Sequence, residues 1–150
     1  MPLRLTTFER VVFLSANQGP GPLLDLLGPL GFKTVVTALR LELFEALAAG
    51  PRSLDELARA IGAHPRGVRF LLSALEPLGY VVQDGGWRTT AMTEKWLLRA
   101  SPTCLADLFR YFDDVLVRWE HLDLSVRRGE AEVAGLEWYR SHPEAWPRYH

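Results

Sequence analysis

Few residues in this 150-residue sequence combine the type and the spacing that a chemical reaction would need. Cys104 could act as a thiol nucleophile with His121 as its base, but the two lie 17 residues apart and no motif links them. A lone cysteine on a helix is more often a small buried hydrophobic residue. We therefore predict no catalytic residue in the sequence.

The sequence also gives little support for a metal site or for two carboxylates that act as a pair. Asp113 and Asp114 are neighbours on a predicted helix, where adjacent side chains do not face each other. The histidines are scattered without ligand spacing, and no cysteine pair accompanies them. They are His64, His121, His142 and His150. We expect neither a metal site nor a carboxylate pair.

Two arginines could contact phosphate from the exposed face of a predicted helix. Arg66 and Arg69 lie within residues 53–90, which show the order of a winged helix-turn-helix: two short helices and a tight hairpin. This segment carries four arginines against four acidic residues. A nucleic-acid surface normally has a basic excess, because neutralised phosphates supply most of the affinity. We therefore expect no nucleic-acid partner, with a small dimeric winged-helix transcriptional regulator as the alternative.

Local signals place the elements of this segment. Ser53 and Glu56 form a capping-box pattern at the start of the first helix, and Gly62 ends it. Pro65 suits the first turn of the second helix. The turn Asp84-Gly85-Gly86 predicts a hairpin of strands 80–83 and 87–90.

Apolar helices are predicted on both sides of the segment. Residues 32–49 read as one helix, preceded by breakers at Gly19-Pro20-Gly21-Pro22 and at 29–31. Its apolar face is wider than one stripe, so a partner subunit is one way to bury it. Thr93 is the expected cap of a short helix through Leu98. Ser101-Pro102 predicts the start of a longer helix that runs to about residue 127, before Gly129.

An aromatic stripe marks this last helix. Phe109, Phe112 and Trp119 recur at helical spacing among leucines. Such a stripe most often belongs to a core. The predicted fold class is thus mainly α, a winged helix-turn-helix with a small β-hairpin and flanking dimerisation helices. We predict an N-terminal extension at 1–31, a winged-helix-like domain at 32–100 and a helical segment at 101–150.

Composition indicates a globular protein in a reducing compartment. The net charge is −1 and nearly half of the residues are hydrophobic. The single cysteine excludes an internal disulfide, and we expect a cytoplasmic location. No apolar run approaches the roughly 20 residues that span a bilayer. Glu9 and Arg10 interrupt the apolar N-terminal stretch, so we expect no signal peptide.

Several phrases in this order resemble the N-terminal dimerisation domain of bacterial SAM-dependent O-methyltransferases of the natural-product type. The phrases are LELFEALAAGPRSLDELARAIGAHPRGVRFLLSALEPLGYV, WRTTAMTEKWLL, SPTCLADLFRYF, WEHLDLSVRRGE and YRSHPE. The resemblance covers about residues 32–150. It implies a homodimer with intertwined helices that help to wall the pocket of the acceptor substrate.

The resemblance also implies that Phe109, Phe112 and Trp119 could line an apolar pocket for a flat aromatic substrate. Methyl transfer in such enzymes belongs to a Rossmann-like SAM domain, for which no strand, glycine-rich turn and acidic residue are found here. The only Gly-Gly pair lies in the hairpin at 85–86. We therefore expect no cofactor in this chain, and a dimerisation and substrate-capping domain that is inactive alone. A stand-alone protein that binds an aromatic ligand is a further alternative.

Overall fold

The computed structural model describes residues 6–12, 22–130 and 140, and these are helical apart from one two-stranded sheet. The elements in chain order are α1 (Thr7–Arg10), α2 (Pro22–Arg40), α3 (Leu43–Ala48), α4 (Leu54–Ala60), α5 (Pro65–Leu75), β1 (Val81–Gln83), β2 (Trp87–Thr89), α6 (Ala91–Leu97), α7 (Ala106–Arg118), a 3₁₀ turn (Trp119–His121) and α8 (Leu122–Arg128). The prediction of a mainly helical fold with one small hairpin is confirmed. The chain forms two units, which divide between Cys104 and Leu105.

The prediction of a single helix at 32–49 is wrong at its start and in its continuity. Helix α2 begins at Pro22, continues through Pro29 and stops at Arg40. Pro29 has no N–H to offer the carbonyl of Asp25, but both residues are exposed, so water can solvate that carbonyl. The break before α3 comes at Glu42, whose φ of 56° and ψ of 25° are left-handed. The helical spacing of apolar residues continues across the break. The sequence pattern therefore did not reveal the break.

Glu42 is held in this position by a second part of the chain. The guanidinium of Arg99, which follows α6, forms an ion pair with the Glu42 carboxylate. The backbone N–H of Arg99 also donates to Oε1 of Glu45 at 2.8 Å. A left-handed non-glycine residue costs roughly 1–2 kcal/mol, so these contacts offset part of that cost.

The core of the first unit lies around α2 and α3. These two helices supply a continuous set of buried side chains: Val35, Val36, Ala38, Leu39, Leu43, Phe44 and Leu47. Helices α4, α5 and α6 and strand β2 pack around them. The wide apolar face of 32–49 is therefore covered within the chain itself and does not need a partner subunit, contrary to what its width suggested.

Helices α4 and α5 follow the predicted signals. The Ser53 Oγ accepts a hydrogen bond from the Glu56 N–H at 3.3 Å, and Glu56 Oε2 accepts from the Ser53 N–H at 2.9 Å, which completes the capping box. Gly62 follows α4 with a left-handed φ of 63° and ends the helix as predicted. The cap of α5 is a residue that the sequence did not single out. The Nδ1 of His64 accepts from the Arg66 N–H at 3.2 Å.

Strands β1 and β2 pair antiparallel, with Val81 opposite Thr89 and Gln83 opposite Trp87. A third segment joins them before α4. The Arg52 N–H donates to the Trp87 carbonyl at 2.9 Å, and the Trp87 N–H donates back to Arg52 at 2.7 Å. The predicted hairpin is confirmed, and this bridge ties its second strand to the start of α4.

Two predicted helix starts are corrected. Helix α6 is capped by Thr90, whose Oγ1 accepts from the Thr93 N–H, while Thr93 itself is buried inside the helix. Helix α7 begins at Ala106 and not at Pro102. The hydroxyls of Ser101 and Thr103 both donate to the Lys95 carbonyl, so they satisfy the end of α6 and do not cap the next helix.

Residues 105–130 of the second unit form two helices that are separated by a short turn. The 3₁₀ turn Trp119–His121 separates α7 from α8, where the sequence predicted one continuous helix. Gly129 ends α8 as predicted, with a left-handed φ of 69°. Among the described residues, no helix has the length and apolar character that crossing a membrane requires.

Candidate surfaces for pairing and substrate contact

The three predicted site residues all lie in the second unit, but they differ in exposure. Phe109 and Phe112 are on α7, and Trp119 opens the 3₁₀ turn. Phe109 is half-buried, whereas Phe112 is 47% exposed and Trp119 is 59% exposed. The structure therefore splits the stripe, and two of its aromatic rings are presented to solvent.

Helix α7 carries two lines of mostly apolar residues. One line is buried or half-buried and consists of Ala106, Phe109, Leu116 and one acidic residue, Asp113. The other contains Phe112 and is exposed; the rings of Tyr111 and Phe112 meet edge to face, with centroids 5.5 Å apart. A helix with one buried and one exposed apolar line can bind a second partner without unfolding.

Asp113 is the acidic residue of the buried line. It is only 2% exposed. Its spacing shows why, because it follows Ala106 by seven residues and Phe109 by four, and so shares their line. This helical spacing is visible in the sequence and could have indicated that Asp113 is buried.

A second candidate surface lies in the first unit, between α2 and the end of α5. It is a groove of about 210 Å³ lined by Leu27, Leu30, Gly31, Thr34, Ala74, Pro77 and Leu78. Its one hydroxyl, on Thr34, donates to the Leu30 carbonyl at 2.8 Å. Leu26 and Leu30 are largely exposed on the same helix. The groove therefore suits apolar side chains better than a polar ligand.

Two arginines on the surface of α5 and the hairpin have side-chain partners. The guanidinium of Arg66 lies over the Phe70 ring, 5.6 Å from its centroid. Arg88 pairs with Asp84 at 3.2 Å. Within the part of the chain that the structure describes, no group of three or more potential ligands could hold a metal ion, and Cys104 is half-buried.

Comparison with known proteins identifies the first unit. Residues 26–99 match the family model of the O-methyltransferase dimerisation domain. This segment contains α3, both helices of the helix-turn-helix and the hairpin. Residues 26–99 are an O-methyltransferase dimerisation domain. The resemblance inferred from the sequence is thereby confirmed.

Relatives of this dimerisation domain include complete methyltransferases. The chain is 34% identical over 120 residues to the tetracenomycin polyketide synthesis 8-O-methyl transferase TcmO of Streptomyces glaucescens, covering 77% of this chain and 35% of TcmO. The mitomycin 7-O-methyltransferase MmcR superposes with a TM-score of 0.72 at 27% identity, over 90% of this chain and 43% of MmcR. Human N-acetylserotonin methyltransferase, solved with SAM, gives a TM-score of 0.67 at 25% identity, over 94% of this chain and 43% of that protein. The chain thus spans less than half the length of each.

The pair Gly85-Gly86 does not have the context of a dinucleotide-type turn. It joins two antiparallel strands, whereas such a turn leads from a strand into a helix whose backbone N–H groups face the cofactor. The G-x-G spacing of Gly19-Pro20-Gly21 lies outside the described residues.

Proposed function

We propose that this chain provides the dimerisation and substrate-capping part of a SAM-dependent O-methyltransferase. The match of residues 26–99 to the dimerisation domain carries the proposal. In this proposal the chain forms a homodimer, residues 32–100 are its winged-helix-like body, residues 101–150 cover the acceptor, and residues 1–31 are an extension. A reducing cytoplasmic location fits the single cysteine.

Two observations support the winged-helix-like description. Helices α4 and α5 pack together and are followed directly by the β1–β2 hairpin. The Arg52–Trp87 bridge adds a short third strand segment. The arginines of the same surface are balanced by acids, which argues against a transcriptional regulator because phosphate binding needs a basic excess.

The acceptor in this proposal is a flat aromatic molecule with a hydroxyl group. TcmO, a relative, is named for polyketide synthesis. Phe109, Phe112 and Trp119 supply aromatic surface on one unit, and aromatic side chains bury a planar ligand with little loss of rotamer freedom. SAM would be held by residues outside those described, so these residues alone should not transfer methyl groups.

The test combines three measurements on the 150-residue chain. Light scattering at micromolar concentration should give the mass of a dimer; a monomer would contradict the pairing role. Calorimetric titration with SAM should show no binding, and a micromolar Kd would contradict the absence of a cofactor site. A hydroxyanthraquinone should quench tryptophan fluorescence, and Phe112→Ala should weaken the quenching more than Phe8→Ala, which changes another exposed phenylalanine.

A further inference from the structure

Three aspartates of this chain have nearly the same surroundings at their carboxylates. The side chains of Asp84, Asp107 and Asp123 are 70%, 74% and 68% exposed, and each pairs with an arginine three or four residues later. An exposed ion pair contributes little free energy, so none of the three carboxylates is firmly held. The three aspartates therefore differ mainly in their backbone and in the residue that follows them.

Asp84 is the only aspartate in the sequence that precedes a glycine. Gly85 lies in the hairpin turn with a left-handed φ of 63°, and a Cβ added to it would meet no atom within 4 Å. The N–H of Asp84 donates to the Gly86 carbonyl at 2.9 Å, whereas no acceptor among the described residues bonds the Gly85 N–H. The Gly85 nitrogen is therefore shielded neither by a side chain nor by a hydrogen bond.

We propose that Asp84 is a site of spontaneous isomerisation to isoaspartate, with the Gly85 nitrogen as nucleophile and water as the only other reactant. The nitrogen bonds to Cγ of Asp84, and the hydroxyl of the protonated carboxyl group leaves with the nitrogen's proton as one water molecule. Water then opens the resulting succinimide ring. Opening at Cγ restores aspartate, whereas opening at the main-chain carbonyl leaves a backbone that runs through Cβ and Cγ of residue 84. The chemistry needs no cofactor and is independent of the function proposed above.

The two other exposed aspartates are held away from this reaction. Asp107 lies in α7 and Asp123 in α8, and a leucine follows each of them. A helix fixes the backbone dihedrals on either side of the carboxylate, so the ring could close only if that turn of helix unwound. The leucine side chain also crowds the nitrogen that would have to attack. These residues are therefore matched controls for Asp84.

Isomerisation would lengthen the backbone by one atom where the hairpin is joined to the start of α4. Gly86 lies close to that segment, because a Cβ on it would be 3.2 Å from Pro51 Cβ and 3.3 Å from the Arg52 backbone. Trp87 comes next and exchanges two backbone hydrogen bonds with Arg52. A longer turn has to move Gly86 or Trp87 relative to Arg52. We therefore expect the modified chain to be less stable.

Incubation in water labelled with a heavy oxygen isotope tests the site. The folded 150-residue chain is aged at mildly acidic pH, where more carboxyl groups are protonated, and is then digested and analysed by mass spectrometry. Each passage through the ring places one labelled oxygen in residue 84, and isoaspartate there resists the endoproteinase Asp-N. Asp84 should take up label at least tenfold faster than Asp107 or Asp123 in the same sample. Equal uptake at the three residues, or none at Asp84, would overturn the proposal.

Two substitutions separate the geometry of the turn from the reactivity of the carboxyl group. Asp84→Asn keeps a residue that suits a hairpin turn and offers an amide, so it should lose ammonia faster than the wild type takes up label. Asp84→Glu would need a larger ring and should take up no label. The aged wild type should melt at least about 2 °C below a fresh sample, while Asp84→Glu is unchanged by ageing. An Asp84→Asn chain that keeps its amide would show that the turn forbids ring closure. A labelled wild type that melts as before would overturn the structural consequence.

Discussion

The buried hydroxyl of Thr93 should contribute measurably to stability through one hydrogen bond. Thr93 has no exposed surface, and its Oγ1 donates to the Tyr80 carbonyl at 2.6 Å. Thr93→Val keeps the volume and removes this donor, together with the weaker 3.3 Å contact between the Thr93 and Thr90 hydroxyls. The Tyr80 carbonyl would keep its second bond, which it accepts from the Thr90 N–H at 3.2 Å, so no buried acceptor is left unpaired. We therefore expect a loss of about 1 kcal/mol, the typical net value of one hydrogen bond, and not the larger cost of an orphaned group.

Urea unfolding followed by circular dichroism measures this loss, and an exposed threonine supplies the control. The Thr37 hydroxyl also donates to a backbone carbonyl, that of Lys33 at 2.8 Å, but Thr37 is exposed on α2. Thr37→Val should therefore change the free energy of unfolding by less than about 0.5 kcal/mol. If the two variants lose the same stability, then burial does not decide the value of the Thr93 bond. A loss above about 3 kcal/mol would show that the Tyr80 carbonyl depends on Thr93 alone.

Three further predictions concern the capping box and the hairpin turn. Ser53→Ala should lower the free energy of unfolding by about 1 kcal/mol, measured by urea denaturation, because the cap of α4 is lost; an unchanged midpoint would contradict it. Hydrogen bonds from Ser53 hold the pKa of Glu56 below its ordinary value of 4.5, so this stabilisation is present above pH 4.5 and is lost as the pH falls through the folded pKa. The stability difference between wild type and Glu56→Gln should therefore shrink below pH 4.5, and a pH-independent difference would refute the assignment. Gly86→Ala should destabilise more than Gly85→Ala by thermal melting, because a Cβ at Gly86 would meet Pro51 Cβ at 3.2 Å and the Arg52 backbone at 3.3 Å, whereas Gly85 faces open space.

Sequence reasoning succeeded where the structural signal is local. The capping box at Ser53, the hairpin turn at 84–86 and the helix end at Gly129 depend on residues a few positions apart, and all three were found as predicted. It failed at Glu42, where a distant residue decides, because the break is held by Arg99, more than 50 residues away. It also failed at Ser101, whose hydroxyl donates back to the Lys95 carbonyl six residues earlier instead of capping the next helix.

At the candidate site, sequence reasoning likewise succeeded only in part. The sequence identified Phe109, Phe112 and Trp119 as one aromatic stripe, but residue type alone cannot separate a core from a docking surface. The structure separates them by their position around the helix, because Phe109 belongs to the line of Ala106 and Asp113, whereas Phe112 and Trp119 are exposed.

This separation also bears on how one helix could serve both proposed roles. A pocket wall and a dimer seam compete if they use the same face, but the two lines on α7 point in directions about 100° apart. Phe109 can contact an acceptor together with the ring surfaces of Phe112 and Trp119 that face it, so that only the outer edges of those two rings are left for the second copy. If pairing orders the helix, acceptor binding should strengthen in the dimer, since the cost of fixing the aromatic rings is then already met. Hydroxyanthraquinone quenching should therefore be stronger at protein concentrations where the dimer forms than at concentrations where it dissociates. Equal quenching at both concentrations would show that acceptor binding and pairing are independent.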